Sequence, residues 1–222
     1  MRNRLIVAAL SLAVCAQVAA AQTPTNLGPV APYGASFGVL SQATFGGNGI
    51  SNLNVMKGGS NTAVIGLTAT QRYNAPALTN NGAGIFYATP GLTIGGSNPL
   101  YPMLSRWNFD YFVDAGTSGD FFTLFIDNDN GANTVTHYAY NIGSAPFTGN
   151  QDSSNLGYGG APYNANNSGE YTFALYQYND QARTQVVDHV AIQVNVTPEP
   201  ASLMLLGTGL FGIGAFARRR RA

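Results

Sequence analysis

The amino-acid sequence predicts an all-β fold, a single antiparallel β-sandwich of the jelly-roll or immunoglobulin-like type, over residues 35–196. The first observation behind this prediction is composition. The body of the chain is rich in Gly, Asn, Ser, Thr and Tyr and poor in the Lys and Glu that long helices favour. The second is a series of short runs in which apolar and polar residues alternate. The third is that Gly-, Asn- and Pro-containing turns separate these runs at the spacing typical of a sandwich.

The predicted strands follow one another along the body, and the pattern shows no internal repeat and no second domain. In chain order they cover residues 35–40, 62–70, 85–88, 106–113, 121–127, 135–141, 170–178 and 186–196. The clearest alternation lies in residues 106–113, where Trp107, Phe109 and Tyr111 share one face of the strand. The last two strands are expected to form a hairpin through residues 179–183.

The N-terminus has the pattern of a secretory signal peptide, predicted over residues 1–21. Arg2 and Arg4 precede an apolar run, and the run is followed by small residues. Cleavage is predicted after Ala21, with Ala19 and Ala21 filling the two small-residue positions of the cleavage site. The sequence therefore predicts export.

The single cysteine of the sequence, Cys15, lies inside this signal. A lipoprotein signal with Cys15 as the acylated residue is the alternative, but Val14 is larger than the residue normally found before such a cysteine. In either case the body has no cysteine, so no disulfide and no cysteine-based metal site are expected there.

Charge is distributed unevenly along the chain, although the whole sequence has a formal net charge of zero. Residues 22–197 contain four basic and nine acidic side chains, which corresponds to a net charge of about −5. The four basic residues are Lys57, Arg72, Arg106 and Arg183. Nucleic-acid binding needs clustered Lys and Arg to neutralise phosphates, so this body is not expected to bind nucleic acid.

A long apolar segment lies close to the C-terminus. Residues 201–217 are consecutive uncharged residues, at the short limit for a helix that spans a bilayer. Such a helix would reach about 25 Å, and a backbone in lipid must satisfy its own hydrogen bonds. Arg218, Arg219, Arg220 and Arg221 follow and would hold the C-terminus on the cytoplasmic side. The sequence therefore predicts a C-terminal transmembrane helix.

A short motif, Pro198-Glu199-Pro200, comes just before this apolar segment. The motif, the apolar span and the terminal arginine cluster, in that order, resemble the PEP-CTERM sorting signal of Gram-negative bacteria over residues 197–222. The resemblance implies recognition by an exosortase, a membrane-embedded cysteine protease or transpeptidase that cuts near the motif. It also implies an inner-membrane intermediate, followed by release or attachment at the cell surface, often where exopolysaccharide is made. A permanent transmembrane anchor without processing is the alternative for the tail.

Residues 127–131, Asp-Asn-Asp-Asn-Gly, are the segment that most resembles a metal-binding loop. Alternating side-chain oxygens before a glycine are typical of the start of a calcium loop, with Asp127 and Asp129 as the expected ligands. The full EF-hand pattern needs a bidentate acid at position twelve, and that position is Tyr138. Because Asp, Asn and Gly are also the usual residues of a hairpin turn, a plain turn is the alternative. No other cofactor is expected.

No motif of the sequence predicts catalysis. His137 and His189 each lie in a predicted strand, without a second ligand at a metal-binding spacing. Asp110 and Asp114 are a carboxylate pair of the kind that a glycosidase uses, but Asp114 is expected to lie in the turn before Gly116. The nucleophile-elbow, zinc-protease and phosphate-loop motifs do not occur in the sequence. The chain is therefore not expected to be an enzyme.

Aromatic residues are the remaining candidates for ligand contact. Trp107, Tyr138 and Tyr176 lie in Tyr-rich predicted strands, and an exposed aromatic face is a common way for a β-sandwich to hold sugar rings. Ordinary packing in the core explains the same pattern, and alternation alone does not decide which face of a strand meets the core.

These patterns divide the chain into a signal peptide (residues 1–21), a flexible leader (22–34), the sandwich (35–196) and the sorting signal (197–222). They predict an exported bacterial protein with a structural or adhesive role at the cell surface or in the exopolysaccharide matrix. The predicted partners are the exosortase, the membrane before processing, and exopolysaccharide. An extracellular carbohydrate-binding module is the first alternative, and a secreted hydrolase without a recognisable site is the second.

Overall fold

The fold consists almost entirely of β-strands, which form two facing sheets and one small hairpin. The computed structural model describes residues 35–45, 50–72, 78–93, 104–131, 138–144, 150–158 and 163–198. The predicted signal peptide, leader and transmembrane segment lie outside these residues. Within the described ranges, no helix is long and apolar enough to cross a membrane.

The strands of the described residues are short at the start of the chain and longer towards its end. In chain order they are β1 (Ser36–Val39), β2 (Thr44–Phe45), β3 (Ile50–Ser51), β4 (Asn54–Gly58), β5 (Val64–Gln71), β6 (Thr79–Asn80), β7 (Ile85–Ala88), β8 (Trp107–Asp114), β9 (Phe121–Ile126), β10 (Tyr138–Ser144), β11 (Asn150–Ser154), β12 (Gly169–Tyr178) and β13 (Val186–Val196). A turn of 3₁₀ helix, Leu156–Tyr158, follows β11.

The first sheet has the strand order β1-β4-β5-β8-β11, and its neighbouring strands are antiparallel. The second sheet has the order β10-β9-β12-β13-β7-β6. In this sheet β7 and β13 pair in parallel, with Phe86 opposite Val194, whereas the other pairs are antiparallel. The parallel pair arises because the β6–β7 hairpin joins the side of β13 that does not pair with β12. The predicted all-β sandwich is confirmed, with this parallel pair as an addition to it.

The core lies between the two sheets and is filled by the inward faces of their strands. Trp107, Phe109 and Tyr111 of β8 all belong to it, as the alternation predicted. From the second sheet, Phe173 stacks on Phe109 with the ring centroids 4.4 Å apart, and it meets Trp107 edge to face at 6.2 Å. Tyr171 packs against Trp107 at 5.6 Å. Because aromatic rings bury large apolar areas, these contacts hold the two sheets face to face.

A second apolar cluster lies on the outer face of the first sheet, where the β2–β3 hairpin packs. Phe45 of β2 is fully buried in this cluster together with Val55 of β4 and Phe112 of β8. The Thr44 N–H also donates a hydrogen bond to Gln151 Oε1 of β11 at 2.9 Å. Apolar burial and a polar contact together hold the hairpin on the sheet.

One end of the sandwich, which we call the closed end, is tied together by polar side chains of the second sheet. Gln177 of β12 accepts a hydrogen bond from the Ser60 N–H at 2.9 Å and donates one to the Ser60 carbonyl at 3.0 Å. Asp188 of β13 accepts a hydrogen bond from the Gly59 N–H at 2.6 Å. Gly59 has a φ of +127°, and a Cβ there would lie 2.2 Å from the Ala63 carbonyl oxygen, so the β4–β5 turn requires glycine.

Two strands of the first sheet, β4 and β11, have no counterpart among the predicted strands. β11 contains no apolar residue and lies at the edge of the sheet. It pairs with β8, and the Asn108 side-chain amide donates a hydrogen bond to Ser153 Oγ at 2.9 Å. β11 is stabilised by its pairing with β8 and not by apolar side chains of its own, so its sequence does not show the usual apolar alternation.

Replacement of Phe173 by Ala is expected to lower the free energy of unfolding by about 3–5 kcal/mol, because this buried ring contacts both Trp107 and Phe109. The control is Tyr140→Ala, because Tyr140 is 53% exposed on β10. Its replacement is expected to change the free energy by about 0.5 kcal/mol or less. Urea unfolding followed by tryptophan fluorescence measures both variants. Equal losses would contradict a central role for Phe173 between the sheets.

Candidate functional site

A cavity of about 450 Å³ lies at the end of the sandwich opposite the closed end. The described residues that line it include Arg72, Arg106, Tyr87, Thr79 and Thr93, and we call it the arginine groove. The ends of β5 and β8 contribute the arginines, and the β6–β7 hairpin with the loop after it contributes the others. The described lining includes no acidic residue.

The pairing of β5 with β8 brings the two arginines together. Gln71 lies opposite Trp107 at the last pair of this ladder, and the Arg72 N–H then donates to the Arg106 carbonyl at 2.8 Å. Arg72 and Arg106 are therefore neighbours at the end of the sheet, although they are far apart in the sequence. Like charges directly opposite each other destabilise a sheet. Such a pair is consequently a candidate site for an anion.

The Arg72 guanidinium is oriented by its neighbours. It donates one hydrogen bond to Asn108 Oδ1 at 3.3 Å and another to the Tyr158 hydroxyl at 3.0 Å. Its Cζ lies 5.5 Å from the centroid of the Tyr158 ring. Asn155 holds the Asn108 amide in turn, through a hydrogen bond of 2.8 Å to Asn108 Oδ1. These contacts orient the guanidinium before any ligand binds.

The Arg106 guanidinium is exposed and is anchored at its Nε, which donates to the Leu92 carbonyl at 3.2 Å. Gly91 allows this approach, because it has a φ of +129° and a Cβ there would lie 3.1 Å from Arg106 Nε. In the part of the chain that the structure describes, no carboxylate forms an ion pair with Arg106. The Nη groups of Arg106 are therefore available for an anionic ligand.

The remaining lining of the groove combines an aromatic ring with hydroxyl groups. The Tyr87 side chain is 44% exposed, and Thr79 and Thr93 lie on the same cavity. A tyrosine ring offers an apolar face with a polar tip, and threonine hydroxyls both donate and accept hydrogen bonds. This lining fits a polar, ring-shaped ligand.

Of the predicted ligand-contact residues, Trp107 is 1% exposed. The expectation that it belongs to an exposed aromatic face is wrong, because its ring fills the core next to Phe173 and Tyr171. Trp107 still reaches the lining of the arginine groove. Contact between Trp107 and a ligand in the groove stays a prediction.

Tyr176 lies half-buried on the outer face of the second sheet. It stacks on His189 with the ring centroids 4.7 Å apart and meets Phe125 edge to face at 5.2 Å. Burial lowers the pKa of His189 below its usual value. The side chain of Tyr138, and His137 as a whole, lie outside the described residues. The structure thus does not bring Tyr176 and Trp107 together, since they lie on opposite faces of the second sheet.

The predicted calcium ligands Asp127 and Asp129 form two successive turns. Asp127 Oδ1 accepts a hydrogen bond from the Asp129 N–H at 3.2 Å, and Asp129 Oδ1 accepts one from the Gly131 N–H at 2.8 Å. Burial raises the pKa of nearby Tyr171 to about 12, and the two carboxylates add to this effect. The described residues contain no group of three His, Cys, Asp or Glu that could hold a metal. The turn accounts for both aspartates, and calcium binding stays a prediction.

The carboxylate pair Asp110 and Asp114 does not line the arginine groove. Asp110 is fully buried, and burial raises its pKa to about 7, an effect that the hydrogen bond from Thr70 partly offsets. Asp114 is the last residue of β8 and does not lie in the turn as expected, but its carboxylate accepts a hydrogen bond from the Gly116 N–H at 2.9 Å in the turn that follows. A raised pKa often marks a functional group. Here the raised pKa belongs to the Asp110 carboxyl, which is enclosed by the first sheet and does not reach the groove.

The chain leaves the sandwich at the end that carries the arginine groove. β13 ends at Val196, and the Thr197 N–H donates to the Ala88 carbonyl at 3.0 Å. Ala88 lies opposite Val196 in the parallel pair and also lines the groove. Pro198 follows and is exposed. Other predicted sorting and cleavage residues lie outside the described part of the chain, namely Glu199, Pro200, Arg218, Arg219, Arg220, Arg221, Ala19 and Ala21.

A comparison with protein families matches residues 196–221 to the PEP-CTERM protein-sorting motif. The chain carries a PEP-CTERM sorting signal. This match confirms the resemblance seen in the sequence, and the signal directs export to the cell surface or the extracellular space. A PEP-CTERM signal implies processing by an exosortase. No curated protein and no solved structure matches the chain.

The described start of the PEP-CTERM signal, residues 196–198, and the arginine groove thus lie at the same end of the sandwich. Apart from Trp107, the residues of the groove were not singled out from the sequence, because each looks ordinary by itself. The usable signal was charge: Arg72 and Arg106 are two of the four basic residues in an acidic body. Only the pairing of β5 with β8 makes them neighbours.

Stability is expected to depend on pH through Asp110. Its folded-state pKa of about 7 lies above the unfolded value of 3.8, so its stabilising contribution is present below about pH 4 and is lost as the pH rises through 7. Asp110→Asn should remove this loss, so the variant should gain on the order of 2–4 kcal/mol over the wild type between pH 4 and 8. Urea unfolding across this range measures the gain, with Asp114→Asn as the control. A difference that is constant with pH would argue against the buried carboxyl as the cause.

The turn at Asp129 is expected to depend on a side-chain acceptor rather than on a charge. Asp129→Asn keeps an oxygen that can accept from the Gly131 N–H, so its stability should stay within about 0.5 kcal/mol of the wild type. Asp129→Ala removes this acceptor and should lower the free energy of unfolding by about 1 kcal/mol. Thermal unfolding in EDTA compares the three proteins. If the Asp129→Ala variant has the same stability as the wild type, the turn does not depend on the side-chain acceptor. If added calcium raises the Tm of the wild type alone, this would support the predicted metal site.

Proposed function

We propose that the mature sandwich is a non-catalytic structural or adhesive protein of the cell surface or the exopolysaccharide matrix. The observation that carries this proposal is the PEP-CTERM signal placed directly after the last strand of the domain. Only Thr197 separates the end of β13 from Pro198 of the motif. The sorting step therefore delivers the folded domain with almost no linker between it and its point of release or attachment.

The position of β13 in the second sheet supports a load-bearing role. β13 pairs with β12 through most of its length and with β7 along its last residues, from Gln193 to Val196. A protein attached through its C-terminus would transmit tension into this interior strand, which has hydrogen bonds on both sides. The bond from the Thr197 N–H to the Ala88 carbonyl extends this support to the exit point. This is a suitable arrangement for a protein held at a surface.

Three side chains that enzyme chemistry could use, Asp110, Asp114 and His189, take part in packing or turn contacts of the described residues. Asp110 is enclosed within the first sheet, and Asp114 holds the turn that contains Gly116. In the second sheet, His189 of β13 stacks on Tyr176 of β12. The secreted-hydrolase hypothesis therefore gains no support from the described residues.

Carbohydrate binding is the second candidate function, and the arginine groove favours it. The groove joins the exposed ring of Tyr87 to the hydroxyls of Thr79 and Thr93. A sugar needs this combination, because its ring has apolar faces and its rim carries hydroxyl groups. A matrix protein with such a groove would be both attached to the surface and bound to the polymer around it.

The sorting step is tested by intact mass of the protein recovered from membranes, cell surface and medium of the producing organism. The wild type should lack residues 1–21 and everything from about Pro198 onward, and it should be recovered in the surface or matrix fraction. Replacement of Pro198, Glu199 and Pro200 by Ala should leave the tail attached and keep the protein in membranes. Pro24→Ala, the same kind of change outside the motif, should be processed like the wild type.

A wild-type protein that keeps its tail in cells with an active exosortase would contradict processing and leave a permanent anchor. Free protein in the medium, with no attached glycan mass and no matrix association, would contradict the structural role. An added glycan mass on the processed C-terminus would support attachment to the matrix.

A further inference from the structure

We propose that the arginine groove binds a carboxylate-bearing sugar unit of an acidic polysaccharide. This inference rests on the proposed surface function and adds to it the chemical class of the ligand. Arg72 and Arg106 would bind the carboxylate, and the Tyr87 ring would pack against the sugar.

Charge is the first reason. Residues 22–197 have a net charge of about −5, yet two of their four basic side chains meet on one cavity whose described lining has no acidic residue. Hydrogen bonding of the Arg72 N–H to the Arg106 carbonyl places the two residues side by side. Two like charges in opposed positions on a sheet repel each other. An anion bound between them would be attracted by both guanidinium groups and would reduce this repulsion.

The geometry of the donors is the second reason. The Arg72 guanidinium is already oriented by Asn108 and Tyr158, so little side-chain entropy remains to be lost on binding. Arg106 is held at its Nε by the Leu92 carbonyl, which leaves the Nη edge for a ligand. Arginine presents paired N–H groups that match the two oxygens of a carboxylate. A pair of oriented guanidinium groups is therefore suited to such an anion.

The size and lining of the groove indicate a sugar rather than a small ion. A volume of about 450 Å³ is many times the roughly 30 Å³ of a water molecule, so an inorganic anion would leave most of the groove unfilled. The Tyr87 ring can cover the apolar face of a pyranose, and Thr79 and Thr93 can bind ring hydroxyls.

An anionic membrane surface is the competing occupant, since the chain leaves the sandwich beside the groove through Thr197. A flat anionic surface attracts proteins through several clustered basic residues. The acidic body would be repelled by such a surface, whereas recognition of one carboxylate inside a groove requires only local charge. The charge distribution therefore favours the polysaccharide.

The test measures binding of the exported protein, purified from producing cells, to polygalacturonate by isothermal titration calorimetry at fixed ionic strength. Fully methyl-esterified polygalacturonate has the same sugar backbone without the charge and should bind at least tenfold more weakly. Dextran sulfate probes a polyanion without carboxylates, and phosphatidylglycerol vesicles probe the membrane. Both are expected to bind at least tenfold more weakly than polygalacturonate.

Arg106→Gln should weaken polygalacturonate binding at least tenfold, and Tyr87→Ala should weaken it severalfold. Neither side chain is part of the buried core, so both variants should keep the wild-type Tm. Arg106→Lys keeps the charge but loses the paired donors, and it should restore only part of the affinity. The matched control is Arg183→Gln, which removes the same charge at the β12–β13 turn and should bind like the wild type.

Equal binding of esterified and free polygalacturonate, or equal losses in the Arg106 and Arg183 variants, would overturn the proposal. Binding to dextran sulfate as tight as to polygalacturonate would also overturn it, because the site would then recognise charge alone. Binding to vesicles but not to polygalacturonate would assign the groove to the membrane. A wild type that binds none of the probes, while it is still processed and recovered from the matrix, would remove the groove ligand and leave the structural function intact.

Discussion

The structure depends on the contact of aromatic rings between β8 and β12. Phe173 stacks on Phe109 at 4.4 Å and meets Trp107 at 6.2 Å, and all three rings are buried. β8 pairs with β5 and β11, and β12 pairs with β9 and β13, so this contact aligns interior strands of both sheets. A shift of one residue would turn these rings towards solvent. The contact therefore decides which strand ends meet at each end of the sandwich.

The two ends that result have different chemistry. At the closed end, Gln177 and Asp188 bind backbone groups of Gly59 and Ser60, so polar atoms of one sheet satisfy the turn of the other. These hydrogen bonds connect the two sheets at this end. At the opposite end Arg72 follows β5 and Arg106 precedes β8, and the side-chain hydrogen bonds of Arg106 to the described residues use only its Nε. The first end is suited to stability and the second to binding.

Much of the fold was predictable because alternation and turns are local properties. The alternation of residues 106–113 correctly placed Trp107 and Phe109 on one face, and the hairpin between β12 and β13 was also correct. β11 was not predictable, because its polar residues form a strand only next to β8. The expected exposure of Trp107 was wrong for a related reason. Alternation separates the two faces of a strand but does not say which face another sheet will cover.

The sequence by itself determined where the protein is sent and what kind of fold it has. The PEP-CTERM signal is read from an unbroken stretch of residues, and strand propensity is set by composition and alternation. The tertiary structure alone decided which distant residues become neighbours. It paired β7 with β13 in parallel, enclosed Asp110 within a sheet, and joined Arg72 to Arg106 beside the chain exit at Thr197. These features depend on contacts between residues distant in the chain, and such contacts exist only after the two sheets have packed.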